Sequence, residues 1–147
     1  MSPQENKIYR HAKTLGGYSI GVDYLANTNI DLSKSVSITI AETVFVLDAG
    51  GKVMQFTRGS EIPFNIKNMP TSLEKPTIIF AKPGFTNIYI VDPKKKGIVV
   101  IDNNGNYKGQ YVSDSFKNIK GIIADETNKK CYLLSENKVY SFDLTAE

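Results

Sequence analysis

The amino-acid sequence predicts an all-β protein made of β-propeller blades, about three four-stranded antiparallel blades that amount to half of a six-bladed propeller. First, its apolar residues fall in runs of four to six bounded by Gly, Pro, Asn and Asp, which is typical of strands and turns rather than helices. Second, one apolar hairpin unit occurs three times. Third, the period of this unit lies in the low forties, which is the length of one propeller blade.

The repeated unit consists of two apolar strands joined by a short turn. Phe45, Tyr89 and Tyr132 occupy equivalent places in its three copies, at spacings of 44 and 43 residues. Each copy follows a further apolar run, and the first two precede a fourth strand, in the second case through an Asn104-Gly105 turn, a strong hairpin signal. The predicted blades span residues 36–67, 76–113 and 119–144 of the single domain 1–147.

The apolar pattern within each blade predicts the order of its strands from the axis outwards. Segments 88–91 and 98–101 are apolar at every position, as expected of inner strands that lie between two neighbouring blades. Segment 61–67 alternates instead, so it is predicted to be an outer, half-exposed strand. Pro63 is tolerated there because an edge strand has N–H groups without a ladder partner.

The third repeat ends after its third strand, and a ring needs about four blades at least. The strand-capable segment 7–13 therefore either completes the third blade of a partner copy, giving a six-bladed homodimer, or ends a preceding blade of a larger propeller. Residues 14–35 fit the repeat least well: segment 16–25 has some strand character, and segment 27–33 is expected to be a loop that leads into the first complete blade.

Residues 88–107 resemble the repeats of NHL-type six-bladed propellers. They comprise a strand ending in Asp92, a basic turn, the strand Gly97-Ile98-Val99-Val100-Ile101-Asp102 and an Asn-Gly turn. Residues 36–144 as a whole are similar to the C-terminal propeller region of large bacterial proteins of candidate phyla, in which the blades lie beyond a membrane segment. The resemblance implies a propeller, with an extracytoplasmic location as one option. Gly97 stands where NHL repeats usually carry Arg, which counts against an NHL-style RNA-binding surface.

The composition narrows the function classes. The net charge of +3 comes from 18 basic and 15 acidic residues, and only Arg10 and Arg58 are arginines. Nucleic-acid readers favour arginine for bidentate contacts, so nucleic acid is not the expected partner. No apolar run approaches the roughly 18 residues of a membrane span.

No catalytic motif is recognisable, so the sequence predicts a protein without enzymatic activity and without a cofactor. The single histidine, His11, cannot build a multi-histidine metal site within one chain. Cys131, the only cysteine, opens an apolar strand and is expected to be a buried hydrophobe rather than a nucleophile.

The candidate binding residues lie at one rim of the predicted blades. They are three lysines on one hairpin turn, two aspartates at equivalent strand ends, and two apolar residues in the connections between blades: Lys94, Lys95, Lys96, Asp92, Asp48, Met69 and Phe116. The lysines suit an anionic polymer or an acidic partner. The aspartates suit either a hard cation or turn capping, and capping is favoured because the third copy carries Ser135.

The sequence thus predicts a non-catalytic module that binds a protein or a surface polymer through this rim. One alternative is a metal-dependent propeller hydrolase or lyase with a metal in the central channel. The inner strands offer isoleucines such as Ile38 and Ile79 there instead of ligands. A second alternative is RNA binding of the NHL type, which predicts a steep dependence on salt.

Overall fold

The computed structural model describes residues 1–27 and 29–145, and strands make up about half of this part of the chain. Antiparallel sheets follow one another in chain order, so the predicted propeller-blade fold is confirmed. Two short 3-10 helices, Pro3–Glu5 and Pro93–Lys95, interrupt the strands. No helix in the described residues is long and apolar enough to cross a membrane.

The N-terminal segment forms a long hairpin of its own. Strand β1 (Tyr9–Arg10) pairs with β4 (Val22–Asp23), and β2 (Lys13–Thr14) pairs with β3 (Gly17–Tyr18). The segment 7–13 therefore contains two short strands, and both pair with strands within 17–23, a region to which the sequence gives some strand character. Gly17 has a φ of 140°, which an L side chain rarely adopts, so the tight turn needs a glycine here.

The remaining strands form two sheets of four strands and one of three. Blade 1 contains β5 (Ser35–Ile40), β6 (Val44–Asp48), β7 (Val53–Thr57) and β8 (Ser60–Ile62). Blade 2 contains β9 (Ile78–Phe80), β10 (Asn87–Asp92), β11 (Gly97–Asp102) and β12 (Tyr107–Val112). Blade 3 contains β13 (Ile119–Asp125), β14 (Lys130–Ser135) and β15 (Lys138–Asp143). In each blade, strands adjacent in sequence are paired.

The outer strand of blade 1 is shorter than the segment 61–67 that the alternation predicts. It ends at Ile62, next to Pro63, which has no N–H to donate. The chain then turns to blade 2, where Lys67 N donates to Gly105 O and Tyr107 N donates to Lys67 O. Phe64 and Ile66 are nevertheless half-buried and pack into the core between blades 1 and 2. The alternation therefore predicts which side chains of this segment are buried. It does not predict that residues beyond Ile62 leave the sheet of blade 1 and contact blade 2.

Each blade has two apolar faces, and we call the one towards the preceding blade its leading face and the other its trailing face. The trailing face of blade 1 packs on the leading face of blade 2 through buried residues such as Phe45, Leu47 and Ile90. The trailing face of blade 2 packs on blade 3 through Tyr89 and Leu133, among others. The leading face of blade 1 packs against the N-terminal segment in a third core: Ile8, Ile30, Leu32, Val44, Val46, Met54 and Phe56.

Candidate functional site: the upper rim

The upper rim is the end of the blades that carries the turns after β6, β10 and β14 and the connections 63–77 and 113–118. Hydrogen bonds between turns and connections hold it together. Ser113 N donates to Lys96 O, and Lys95 Nζ donates to Thr71 Oγ1 at 2.6 Å. All seven candidate binding residues belong to this rim by their place in the chain.

The lysine turn has a defined backbone. Pro93–Lys95 form one turn of 3-10 helix, which Pro93 favours because its φ is preset for the first helical position. Lys96 follows in the left-handed conformation with a φ of 50°, and its N–H donates to Pro93 O. The three lysine side chains therefore leave the turn from fixed positions.

Each of these lysines has a partner in a blade connection. Lys94 Nζ lies 2.9 Å from Glu74 Oε2, and Lys96 Nζ lies 2.5 Å from Asp114 Oδ1. A hydrogen bond to Glu74 raises the pKa of Lys94, and a hydrogen bond from Lys96 lowers the pKa of Asp114. The turn is thus tied to the connections on both sides and carries less free positive charge than three adjacent lysines suggest. Because these pairs are exposed, they are weak and open readily to a competing anion.

Asp92 anchors the connection between blades 1 and 2. Its side chain is fully buried and accepts hydrogen bonds from Glu74 N at 2.7 Å and Lys75 N at 3.3 Å. Both carboxylate oxygens are used, so Asp92 positions the chain beside the lysine turn and is not presented to a ligand. The sequence predicts that Asp92 caps the hairpin turn that follows it. In the structure Asp92 instead binds the backbone of the connection between blades 1 and 2.

The two residues equivalent to Asp92 also bind backbone groups. Asp48 Oδ1 accepts from Gly50 N at 2.7 Å and Lys52 N at 2.9 Å, which is the turn capping that the sequence favours. Ser135 Oγ donates to Lys117 O in the connection between blades 2 and 3. In the part of the chain that the structure describes, no three side chains of His, Cys, Asp or Glu come together as a metal site.

The two apolar candidates are turned partly inwards. Met69 packs against the core between blades 1 and 2, and Phe116 packs against the core between blades 2 and 3, with its ring centroid 5.5 Å from that of Phe142. Beside Met69 and the lysine turn lies an open cleft of about 620 Å³. We call it the rim cleft, and its walls include Ile66, Asn68, Met69, Thr71, Glu74 and Lys95.

Sequence reasoning misses Glu126, which is the most connected carboxylate between blades 2 and 3. Its Oε2 accepts from Thr86 N at 2.9 Å and Thr86 Oγ1 at 3.2 Å, and its Oε1 accepts from Asn87 N at 3.0 Å and Tyr89 Oη at 3.3 Å. Burial and the charge of Glu126 raise the pKa of Tyr89. A second cleft of about 420 Å³ opens beside Glu126, between Lys108 and Lys129. One acidic residue in a turn gives no sequence signal for this role.

The two residues with the most reactive side-chain types stand apart from the rim. His11 is exposed in the N-terminal hairpin, where its Nδ1 lies 3.0 Å from Ser19 O. Cys131 is fully buried in β14, and burial raises the pKa of its thiol to about 12. A thiol with this pKa is protonated at neutral pH and is a poor nucleophile.

Comparison with solved structures finds β-propellers. A propeller chain in the crystal structure of a nidogen/laminin complex matches with a TM-score of 0.70 and 15% identity, over 95% of this chain and 55% of that chain. Virginiamycin B lyase from Staphylococcus aureus matches with a TM-score of 0.57 and 16% identity, over 96% of this chain and 50% of that chain. No family model and no curated protein matches. The likeness confirms the propeller fold, and this chain spans about half the length of either propeller.

Proposed function

We propose that this chain is a non-catalytic propeller module that binds a protein or a surface polymer with anionic groups on its upper rim. The observation that carries the proposal is the rim cleft, where Lys95 and Met69 border the same open space of about 620 Å³. The exposed ammonium of Lys94 lies beside it, paired with the cleft residue Glu74. This combination of lysines with a few apolar side chains suits an acidic segment that also carries apolar residues.

The propeller comparisons point to two function classes. One related fold belongs to a nidogen/laminin complex, which is an association between proteins, and the other belongs to a lyase. A metal-dependent hydrolase or lyase is therefore the alternative to a binding module. The carboxylates of Asp48 and Asp92 are committed to backbone N–H groups, which favours the binding module. RNA binding of the NHL type is the second alternative.

The proposed module completes its ring with further blades. These belong either to a second copy of the chain, giving a six-bladed homodimer, or to adjoining blades of a longer chain. The support is that the chain spans about half of each related propeller, and that closed rings protect blade faces from solvent.

The test compares two pairs of lysines. We expect labelled polyglutamate or a sulfated polysaccharide to bind the native chain, and the double variant Lys94→Ala/Lys95→Ala to bind at least about tenfold more weakly. The matched control is Lys108→Ala/Lys129→Ala, which removes two lysines from the cleft beside Glu126 and leaves the rim intact. Equal losses in both double variants would contradict a rim site. Preference for poly(U) with a steep salt dependence would favour RNA binding instead.

A further inference from the structure

Blade 3 exposes an apolar face to solvent. Ile123 is 59% exposed, Tyr132 and Leu134 are each 41% exposed, and Val139 is 69% exposed. The strand register places Ile123 opposite Tyr132 and Leu134 opposite Val139, so these four side chains stand on one side of the sheet. This side is the trailing face of blade 3, because the alternate residues Ile122, Cys131 and Leu133 pack against blade 2.

Blade 2 shows what happens to the trailing face of a blade when another blade follows it. The equivalent residues of blade 2 lie 43, 43, 43 and 41 positions earlier: Phe80, Tyr89, Val91 and Ile98. Tyr89, Val91 and Ile98 are at most 3% exposed, and all four residues belong to the core that blades 2 and 3 share. The trailing face of blade 3 therefore has the residue pattern of a blade-to-blade contact and lacks the blade that would cover it. Exposed apolar patches of this kind mark interaction sites.

The opposite end of the chain carries the matching surface. The N-terminal segment buries the outer part of the leading face of blade 1, where Met54 and Phe56 are at most 3% exposed. On the innermost strand β5, however, Ile40 remains 62% exposed. An open cavity of about 560 Å³ lies here, with walls that include Tyr9, Tyr24, Ile38, Ile40, Thr43 and Arg58. The N-terminal segment thus leaves part of this face uncovered, from Ile40 on the innermost strand to Arg58 directly after β7.

We propose that the trailing face of blade 3 docks on the uncovered leading face of blade 1 in a second copy of this chain. Every chain presents both halves of this junction, so two copies related by a two-fold axis form two identical junctions and close the ring. Two copies also supply about the length of each related propeller, of which one chain spans 55% and 50%. The inference rests on the ring completion in the proposed function and is independent of the ligand.

The first measurement is the mass of the native chain by light scattering, from about 1 to 100 μM, a range in which stable homodimers persist. We expect twice the mass of one chain. Ile123→Lys and Ile40→Glu each place a charge in both junctions, and we expect each variant to raise the dimer dissociation constant at least about 100-fold. The matched control is Val112→Lys on β12, because Val112 is 60% exposed and lies outside both faces. It should remain dimeric.

Mixing tests which faces meet. A mixed dimer of Ile123→Lys and Ile40→Glu chains has one native junction and one Lys–Glu junction, so mixing the two monomeric variants should restore a dimer. If Ile40→Glu stays dimeric while Ile123→Lys is monomeric, two trailing faces pair with each other and the proposal is wrong. A native chain that is monomeric throughout, or assembles beyond two copies, also overturns it.

Two further variants keep these results interpretable. All substituted side chains are largely exposed in one chain, so the monomeric variants should unfold cooperatively and at similar temperatures, below the midpoint of the native dimer because they lack the stabilising partner. Val139→Lys, at a residue that is 69% exposed, repeats the test on the outer strand β15 if Ile123→Lys fails to fold. The Lys94→Ala/Lys95→Ala variant should remain dimeric, so failure of ring closure and failure of ligand binding are separately visible.

Discussion

Replacement of Asp92 by alanine tests whether this buried carboxylate holds the upper rim together. The substitution removes the acceptor of two backbone N–H groups, those of Glu74 and Lys75, at 2.7 and 3.3 Å. A hydrogen bond to a charged group contributes about 1.5–3 kcal/mol, and the longer of the two contributes less. Relief of the carboxylate's desolvation offsets part of this loss. We therefore expect the free energy of unfolding to fall by about 2–4 kcal/mol.

Asp48→Ala is the matched control, because Asp48 occupies the same place in the first repeat. Its carboxylate accepts from Gly50 N and Lys52 N within its own exposed turn. When it is removed, water can reach both N–H groups, so the expected loss is about 1 kcal/mol. Asp92→Asn keeps an acceptor of similar shape without the charge, and its loss should lie between those of the two alanine variants.

Urea unfolding of the three variants measures these free energies, with the slope against urea unchanged if the transition stays two-state. Amide hydrogen exchange gives the local readout, since the N–H groups of Glu74 and Lys75 should exchange faster in Asp92→Ala than in Asp48→Ala. If Asp92→Ala costs no more than Asp48→Ala and leaves both amides protected, then Asp92 does not anchor the connection and the reasoning is refuted.

Two other expectations concern titratable groups. Cys131 is fully buried, and burial raises the pKa of its thiol to about 12. A thiol reagent at neutral pH should therefore label it only as fast as the chain opens. Labelling in urea is the control, and rapid labelling of the native chain would contradict the burial. Glu42 Oε1 accepts from Gly84 N across blades 1 and 2, and this hydrogen bond lowers the pKa of Glu42 below 4.5. Its stabilising effect is therefore present above the unfolded-state pKa and is lost as the pH falls through the lower folded-state pKa. Carboxyl NMR should show Glu42 titrating below the usual glutamate range, and a midpoint at or above that range would refute this contact.

The sequence by itself determined the blades, because the signals for a hairpin are local. Strands β10 and β11 are apolar at nearly every position and are joined by a short turn, so their pairing depends on residues that are close along the chain. The spacing of Phe45, Tyr89 and Tyr132 then gave the repeat, which is the signature of a propeller. For the same reason, the capping of the turn by Asp48 could be predicted from the residues that follow it.

Tertiary structure alone decided what the equivalent residues do. Asp48 and Asp92 share one place in the repeat, yet one caps its own turn and the other holds a connection 17 and 18 residues away in sequence. Glu126 bonds to groups 37–40 residues distant. These partners meet only when neighbouring blades pack. Packing decides which backbone groups need a side-chain partner, and this cannot be predicted from the residues next to them in sequence. The same packing buries Tyr89 in blade 2 and leaves Tyr132 exposed in blade 3, because only the first has a following blade in this chain.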